Sequence, residues 1–285
     1  MNRSRMRHII VGAAAVCLTG PAPVWASTLR CPPDSVKVGN ACIDLYEASV
    51  WQIAPSNTSL VRKVQAGKAT LSDLTAGGAR PLGCTFAPFS QGAYPANFPT
   101  DANWTPVPGS SPPSPGVYAV SIPGVLPTTC TSWFQAVQAC AVSGKRLARS
   151  EEWQRAAAGT PDPGRDDGTT DCNVFAANGP LNTGSRSSCK SSWGVFDMVG
   201  NVEEWVADWA DRANVACTDW TTLTGIAGGD SSCFGGDGTG AFNQIPGALV
   251  RGGFWLDATA AGVFAVNSSN SPTGSFSRTG FRCVR

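Results

Sequence analysis

The chain of 285 residues carries 21 basic and 20 acidic residues, one histidine and eleven cysteines. Near-neutral charge with no basic stripe excludes a nucleic-acid footprint. Beyond residue 26, no apolar run reaches the roughly 18 residues that a membrane helix needs.

The first segment reads as an export signal. Arg3, Arg5 and Arg7 form a basic start, Ile9 to Leu18 an apolar stretch too short to span a bilayer, and Val24-Trp25-Ala26 a small-residue cleavage site. Cleavage after Ala26 leaves 18 basic against 20 acidic residues, a net charge of −2. His8 leaves with the signal, which excludes a Ser-His-Asp triad, a Cys-His pair and any His-ligated zinc or iron site from the mature chain. Cys17 leaves too, and the ten remaining cysteines, none in a Cys-x-x-Cys pair, read as the disulfide framework of an exported protein, periplasmic or extracellular. Residues 27–285 are expected to form one domain.

Cys31 and Cys42 flank turn signals, Pro32-Pro33-Asp34 and Gly39-Asn40, which predicts a small stapled hairpin. Cys42 to Ser49 reads as a strand. Residues 86–127 are rich in Pro, Gly and Ser and are expected to be a surface insertion without regular structure. Ser132 and Gln135 make a capping box for a helix over 133–143, stopped by Gly144. A second helix is expected from Ser150 to near Gly159, with Glu151 and Glu152 favourable in its first turn. Short strands and long turns follow. The expected class is α+β, irregular and loop-rich.

The most informative segment is 194–209, GVFDMVGNVEEWVADW. Asp197 and Glu204 offer carboxylates, and Gly200 and Val202 offer backbone carbonyls from the turn between them. Spacing of 0, 3, 5 and 7 with a glycine at the bend suits calcium, which accepts flexible all-oxygen coordination. The alternative is a solvated acidic turn.

This segment belongs to an ordered set: Ser132-Trp133, Gly144-Lys145-Arg146-Leu147, Glu152-Trp153, Cys172-Asn173-Val174, Arg251-Gly252-Gly253 and Gly280-Phe281-Arg282-Cys283. The set resembles the signature of the formylglycine-generating enzyme family, also called the sulfatase-modifying factor family, over roughly residues 127–285 and more loosely over Cys42 to Ser49. The resemblance implies an irregular fold similar to a C-type lectin core, and structural calcium at Asp197, Gly200, Val202 and Glu204. It also implies a second calcium site starting at Asn173 and Val174, whose acidic partner is not evident here. It further implies a Cys140–Cys283 bridge. The other eight cysteines pair by proximity in sequence as Cys31–Cys42, Cys84–Cys130, Cys172–Cys189 and Cys217–Cys233.

Active members of that family hold Cu(I) with two cysteines in the loop after the Gly-Gly pair and oxidise a substrate cysteine. The matching positions are Asp257 and Gly262, and Phe254 to Ser277 contains no cysteine. Soft thiolates suit Cu(I) and a hard carboxylate does not, so copper chemistry is not expected and no catalytic residue is assigned. Trp153, Trp205 and Trp255 match family positions and are expected in the core; Trp51, Trp104 and Trp220 lie in loop-like stretches. Three functions follow as expectations. The first is binding of a peptide or glycan in the family cleft. The second is an oxidase that recruits other thiols. The third is an accessory subunit that uses 86–127 to contact an envelope partner.

Overall fold

A computed structural model of the chain describes residues 29–83, 116–211, 218–219, 231–233 and 246–285. The expected signal at 1–26 and residues 86–115 of the expected insertion lie outside them. Strands β1 (Ser35–Val38) and β2 (Ala41–Asp44) form the hairpin, with Gly39 at the turn in the left-handed region and a disulfide joining Cys31 to Cys42. Strand β3 (Ser49–Ile53) follows. Helices α1 (Thr58–Gln65) and α2 (Leu71–Ala76) then pack on a three-stranded sheet that β3 makes with β4 (Arg80–Leu82) and β5 (Gly116–Val120). Trp51, Leu60, Val64, Leu74 and Tyr118 form the core of this unit.

The fold departs from the sequence expectation at two places. The stretch 86–127 is not wholly irregular: β5 pairs with β3 along its full length and is buried at every position. The run Val117-Tyr118-Ala119-Val120 has the apolar density of a doubly covered strand, and its Pro- and Gly-rich neighbours mask that signal. Trp51 is a core residue of β3, 3% exposed, and its indole N–H donates to Ser49 Oγ at 2.9 Å. Trp104 and Trp220 lie outside the described residues.

Helix α3 (Trp133–Val142) starts at the capping box: Gln135 N–H donates to Ser132 Oγ, and Ser132 N–H donates to Gln135 Oε1. Its apolar stripe, Ala136, Ala139 and Cys140, faces the core. Strand β6 (Arg146–Leu147) leads to α4 (Ser150–Ala157), which buries Trp153, Ala156 and Ala157.

The second half of the chain builds a six-stranded sheet in the order β12-β7-β10-β11-β9-β8. Its strands are β7 (Glu203–Asp211), β8 (Thr218–Asp219), β9 (Ser231–Cys233), β10 (Pro246–Arg251), β11 (Val266–Asn267) and β12 (Thr279–Phe281). One residue further, β13 (Cys283–Val284) leaves that sheet and enters a four-stranded one ordered β1-β2-β13-β6. Arg282 is the step between the two sheets and is fully buried. A Cys140–Cys283 disulfide pins the end of the chain to α3, and a Cys172–Cys189 disulfide staples the long loop before β7. Cys130 is also disulfide-bonded. Cys84 and Cys217, and the side chain of Cys233, lie outside the description. The class is α+β, sheet-dominated and disulfide-stapled.

Candidate functional site

Strand β7 positions two sites with two adjacent residues. Successive side chains on a strand point to opposite faces, so Glu203 and Glu204 part company.

Glu203 faces a cavity of about 230 Å³ lined also by Val250, Phe254, Asp257, Asn267 and Arg278. The Arg278 Nε–H donates to Glu203 Oε1 at 3.0 Å, and Thr279 Oγ1 donates to the same oxygen at 2.6 Å. The Arg278 guanidinium lies 5.4 Å from the Phe254 ring centre and 5.3 Å from that of Phe276, within cation–π range. Asp257 enters from the loop after β10, and its Oδ2 accepts the Phe254 N–H at 3.0 Å. Burial pushes the Asp257 carboxyl up to about 7; the Phe254 N–H pulls the other way, and the negative Glu203 adds to the rise. Burial likewise raises Glu203, against the pull of Arg278.

The loop is held in place by Arg251-Gly252-Gly253. Gly252 and Gly253 both sit in the left-handed region, at φ +89° and +75°. A Cβ on Gly253 would meet Ala261 Cα at 2.6 Å, so only glycine lets the loop fold back on the strand end. Gly262 N–H then donates to the Gly252 carbonyl at 3.1 Å and closes the loop's base. Of the two positions expected to match the family's copper ligands, Asp257 faces the cavity and Gly262 acts through its backbone.

Glu204 points the other way, into a buried ionic frame. Its oxygens accept Arg282 Nε–H at 2.7 Å, Arg282 Nη2–H at 2.6 Å and the Trp153 indole N–H at 2.9 Å. The same guanidinium donates to the carbonyls of Asp44 and Phe196, which ties both sheets to the turn before β7. Glu47, fully buried, accepts from Asn201 Nδ2 and from Val202 N–H. Asp197 takes a left-handed backbone and accepts the Gly184 N–H at 2.7 Å. Burial raises Asp197 to about 7, opposed by the Gly184 N–H and by Arg282. Burial raises Glu47 well above the ordinary range, with Asp197 and then Glu204 adding to the effect. Sequence reasoning singles out neither Glu47 nor Arg278 as a site residue. An acid between the apolar runs of β2 and β3 is the signal that points to Glu47.

A family model described as "Sulfatase-modifying factor enzyme 1-like domain" matches residues 56–285. The chain belongs to this family. Among curated members, it is 28% identical over 204 residues to the formylglycine-generating enzyme of Thermomonospora curvata, covering 64% of this chain and 63% of that protein. It is 30% identical over 179 residues to the formylglycine-generating enzyme of Streptomyces coelicolor, covering 55% of this chain and 52% of that protein. The chain thus spans less than two thirds of each relative. Solved structures similar to it include the Major Tropism Determinant I1 variant, at 21% identity over 59% of this chain and 45% of that one with a TM-score of 0.38. Another is CarF, at 19% identity over 57% and 68% with a TM-score of 0.34.

In this sulfatase-modifying-factor domain, the charge balance around Asp197 fits a cation. Three buried carboxylates, Glu47, Asp197 and Glu204, face the guanidinium of Arg282, and Arg186 adds a smaller pull on Asp197. Among the described residues, the second oxygen of Asp197 takes no hydrogen bond. Glu204 fits less freely, because the Arg282 fork and Trp153 occupy most of its lone pairs. At the other family position, the Asn173 carbonyl accepts the Asn201 N–H and the Val174 carbonyl accepts the Ala258 N–H. These two residues knit the turn to the Asp257 loop.

Proposed function

We propose that this is an exported member of the family that binds a peptide or glycan ligand in the cavity beside Asp257 and does not carry out copper-dependent oxidation of cysteine. The observation that carries the reading is the occupant of the first copper-matching position: a carboxylate, Asp257, lining a polar cavity. A hard oxygen does not replace a thiolate for Cu(I), and Gly262 has no side chain to offer. Every cysteine whose side chain is described is in a disulfide, which leaves no described thiol to recruit.

Structural calcium belongs to the same reading. Asp197 and Glu204, with the carbonyls of Gly200 and Val202, would hold it, and its charge would offset the excess of buried carboxylates. Asn173 and Val174 are the ligands of a second site only if an acidic partner joins them.

Thiol counting on the denatured, non-reduced mature protein tests the choice between binding and oxidation. Zero free thiols is the expected result; two would favour an oxidase with recruited cysteines.

A further inference from the structure

We infer that the cavity beside Asp257 is a receptor for one primary ammonium group, the head of a lysine side chain or of a small free amine. This rests on the reading of the cavity as a ligand site and names the ligand's chemistry.

Charge gives the first argument. The cavity holds two carboxylates and one guanidinium. Arg278 is spent on Glu203 by a direct hydrogen bond at 3.0 Å and stands between Phe254 and Phe276. Among the described residues, no Lys or Arg makes a salt bridge to Asp257, and Arg278 acts on it only at longer range. The cavity therefore carries one carboxylate more than it has guanidinium groups, and a partly buried carboxylate is stabilised when a cation joins it.

Size and geometry give the second. A volume of about 230 Å³ lies below the range of sites for drug-sized ligands, which starts at about 300 Å³. It takes a single side chain or a small amine, which narrows the peptide-or-glycan reading away from an oligosaccharide seated within the cavity. One Asp257 oxygen already accepts the Phe254 N–H, so a compact ammonium fits the remaining edge better than a guanidinium fork that asks for both oxygens. A divalent metal ion is the poorer match, because the lining offers two carboxylates and Glu203 is already engaged by Arg278 and Thr279. The apolar lining, Val250, Phe254, Ala265 and Val266, suits the methylenes behind the charge.

The test is ligand-observed NMR titration of the full mature chain in phosphate buffer. The probes are n-butylamine, Nα-acetyl-lysine methylamide and Nα-acetyl-norleucine methylamide, run on wild type and on Asp257→Asn. The carboxamide of that variant keeps an oxygen for the Phe254 N–H, and circular dichroism checks that it folds. The expected result is that at least one amine binds, norleucine does not, and the substitution weakens binding about tenfold or more. Butylamine binding as tightly as the lysine derivative points to a free-amine ligand; the lysine derivative binding clearly tighter than butylamine points to a peptide. Norleucine matching lysine, or equal binding by Asp257→Asn, would overturn the inference. If an uncharged peptide binds and no amine does, the ammonium assignment falls while the binding reading stands. If nothing binds and two free thiols are found, both fall.

Discussion

Glu203 and Glu204 show how one peptide bond separates two chemistries. The first is held by Arg278 and Thr279 at the edge of a cavity, the second by Arg282 and Trp153 inside the frame. Asp257 carries a pH prediction. Its carboxyl is raised to about 7 in the folded protein, so the folded state holds the proton more tightly than the unfolded chain. Its contribution to stability is complete below about pH 4 and is lost as pH rises through about 7. In amine-free buffer, urea unfolding at pH 5 and pH 8 should show wild type losing about 2–3 kcal/mol relative to Asp257→Asn. Parallel pH dependence in the two proteins would contradict this. Asp197 carries the calcium prediction. Calcium added to chelator-treated protein should raise the melting temperature, and Asp197→Ala, which removes the side-chain oxygens, should abolish the rise; an undiminished rise in that variant would remove Asp197 from the site. At this scale the sequence exposes Asp197, Glu204 and Asp257 because motifs frame them. Arg278 lies outside any motif, and its role depends on a strand pairing, Thr279 beside Glu203, that local sequence does not encode.

Elements follow local chemistry where that chemistry is explicit. Both halves of the capping box at Ser132 and Gln135 are present, and α3 starts where they place it. Helices α1 and α2 escape the sequence reading, although Asn57 caps the first and Thr70 with Asp73 boxes the second. Each spans two turns or so, too short for apolar periodicity to stand out. Strand β5 is hidden by its flanks. The turn before β7 depends on Gly200, whose φ is +72° and whose missing Cβ would meet the Asn173 carbonyl oxygen at 2.3 Å. Gly200→Ala should therefore cost more than about 2 kcal/mol by denaturant unfolding, through backbone strain and the clash together. A change within about 0.5 kcal/mol would show that the turn is not set by this contact.

For the whole molecule, the last few residues matter most. Between β12 and β13 the chain passes from one sheet to another, Arg282 fills the junction, and Cys283 bonds Cys140 across a separation of 143 residues. The chain-entropy model gives such a closure about 4–5 kcal/mol. Replacing both cysteines by alanine should lower stability by about 2–5 kcal/mol, read from urea unfolding, and a loss below about 1 kcal/mol would show that the junction holds without the bridge. The overall architecture is legible because an ordered string of motifs carries it. The cavity's contents are not, because they assemble from β7, β10, β11 and the approach to β12, which meet only in the folded chain. On the proposed reading, Asp257 and Gly262 stand where active relatives hold copper with thiols, and the chain makes no formylglycine. Mass spectrometry of a cysteine-motif peptide incubated with the copper-supplied protein tests it most directly. No formylglycine should form above the copper-only blank; catalytic conversion of the cysteine would show that the chain retains oxidase chemistry.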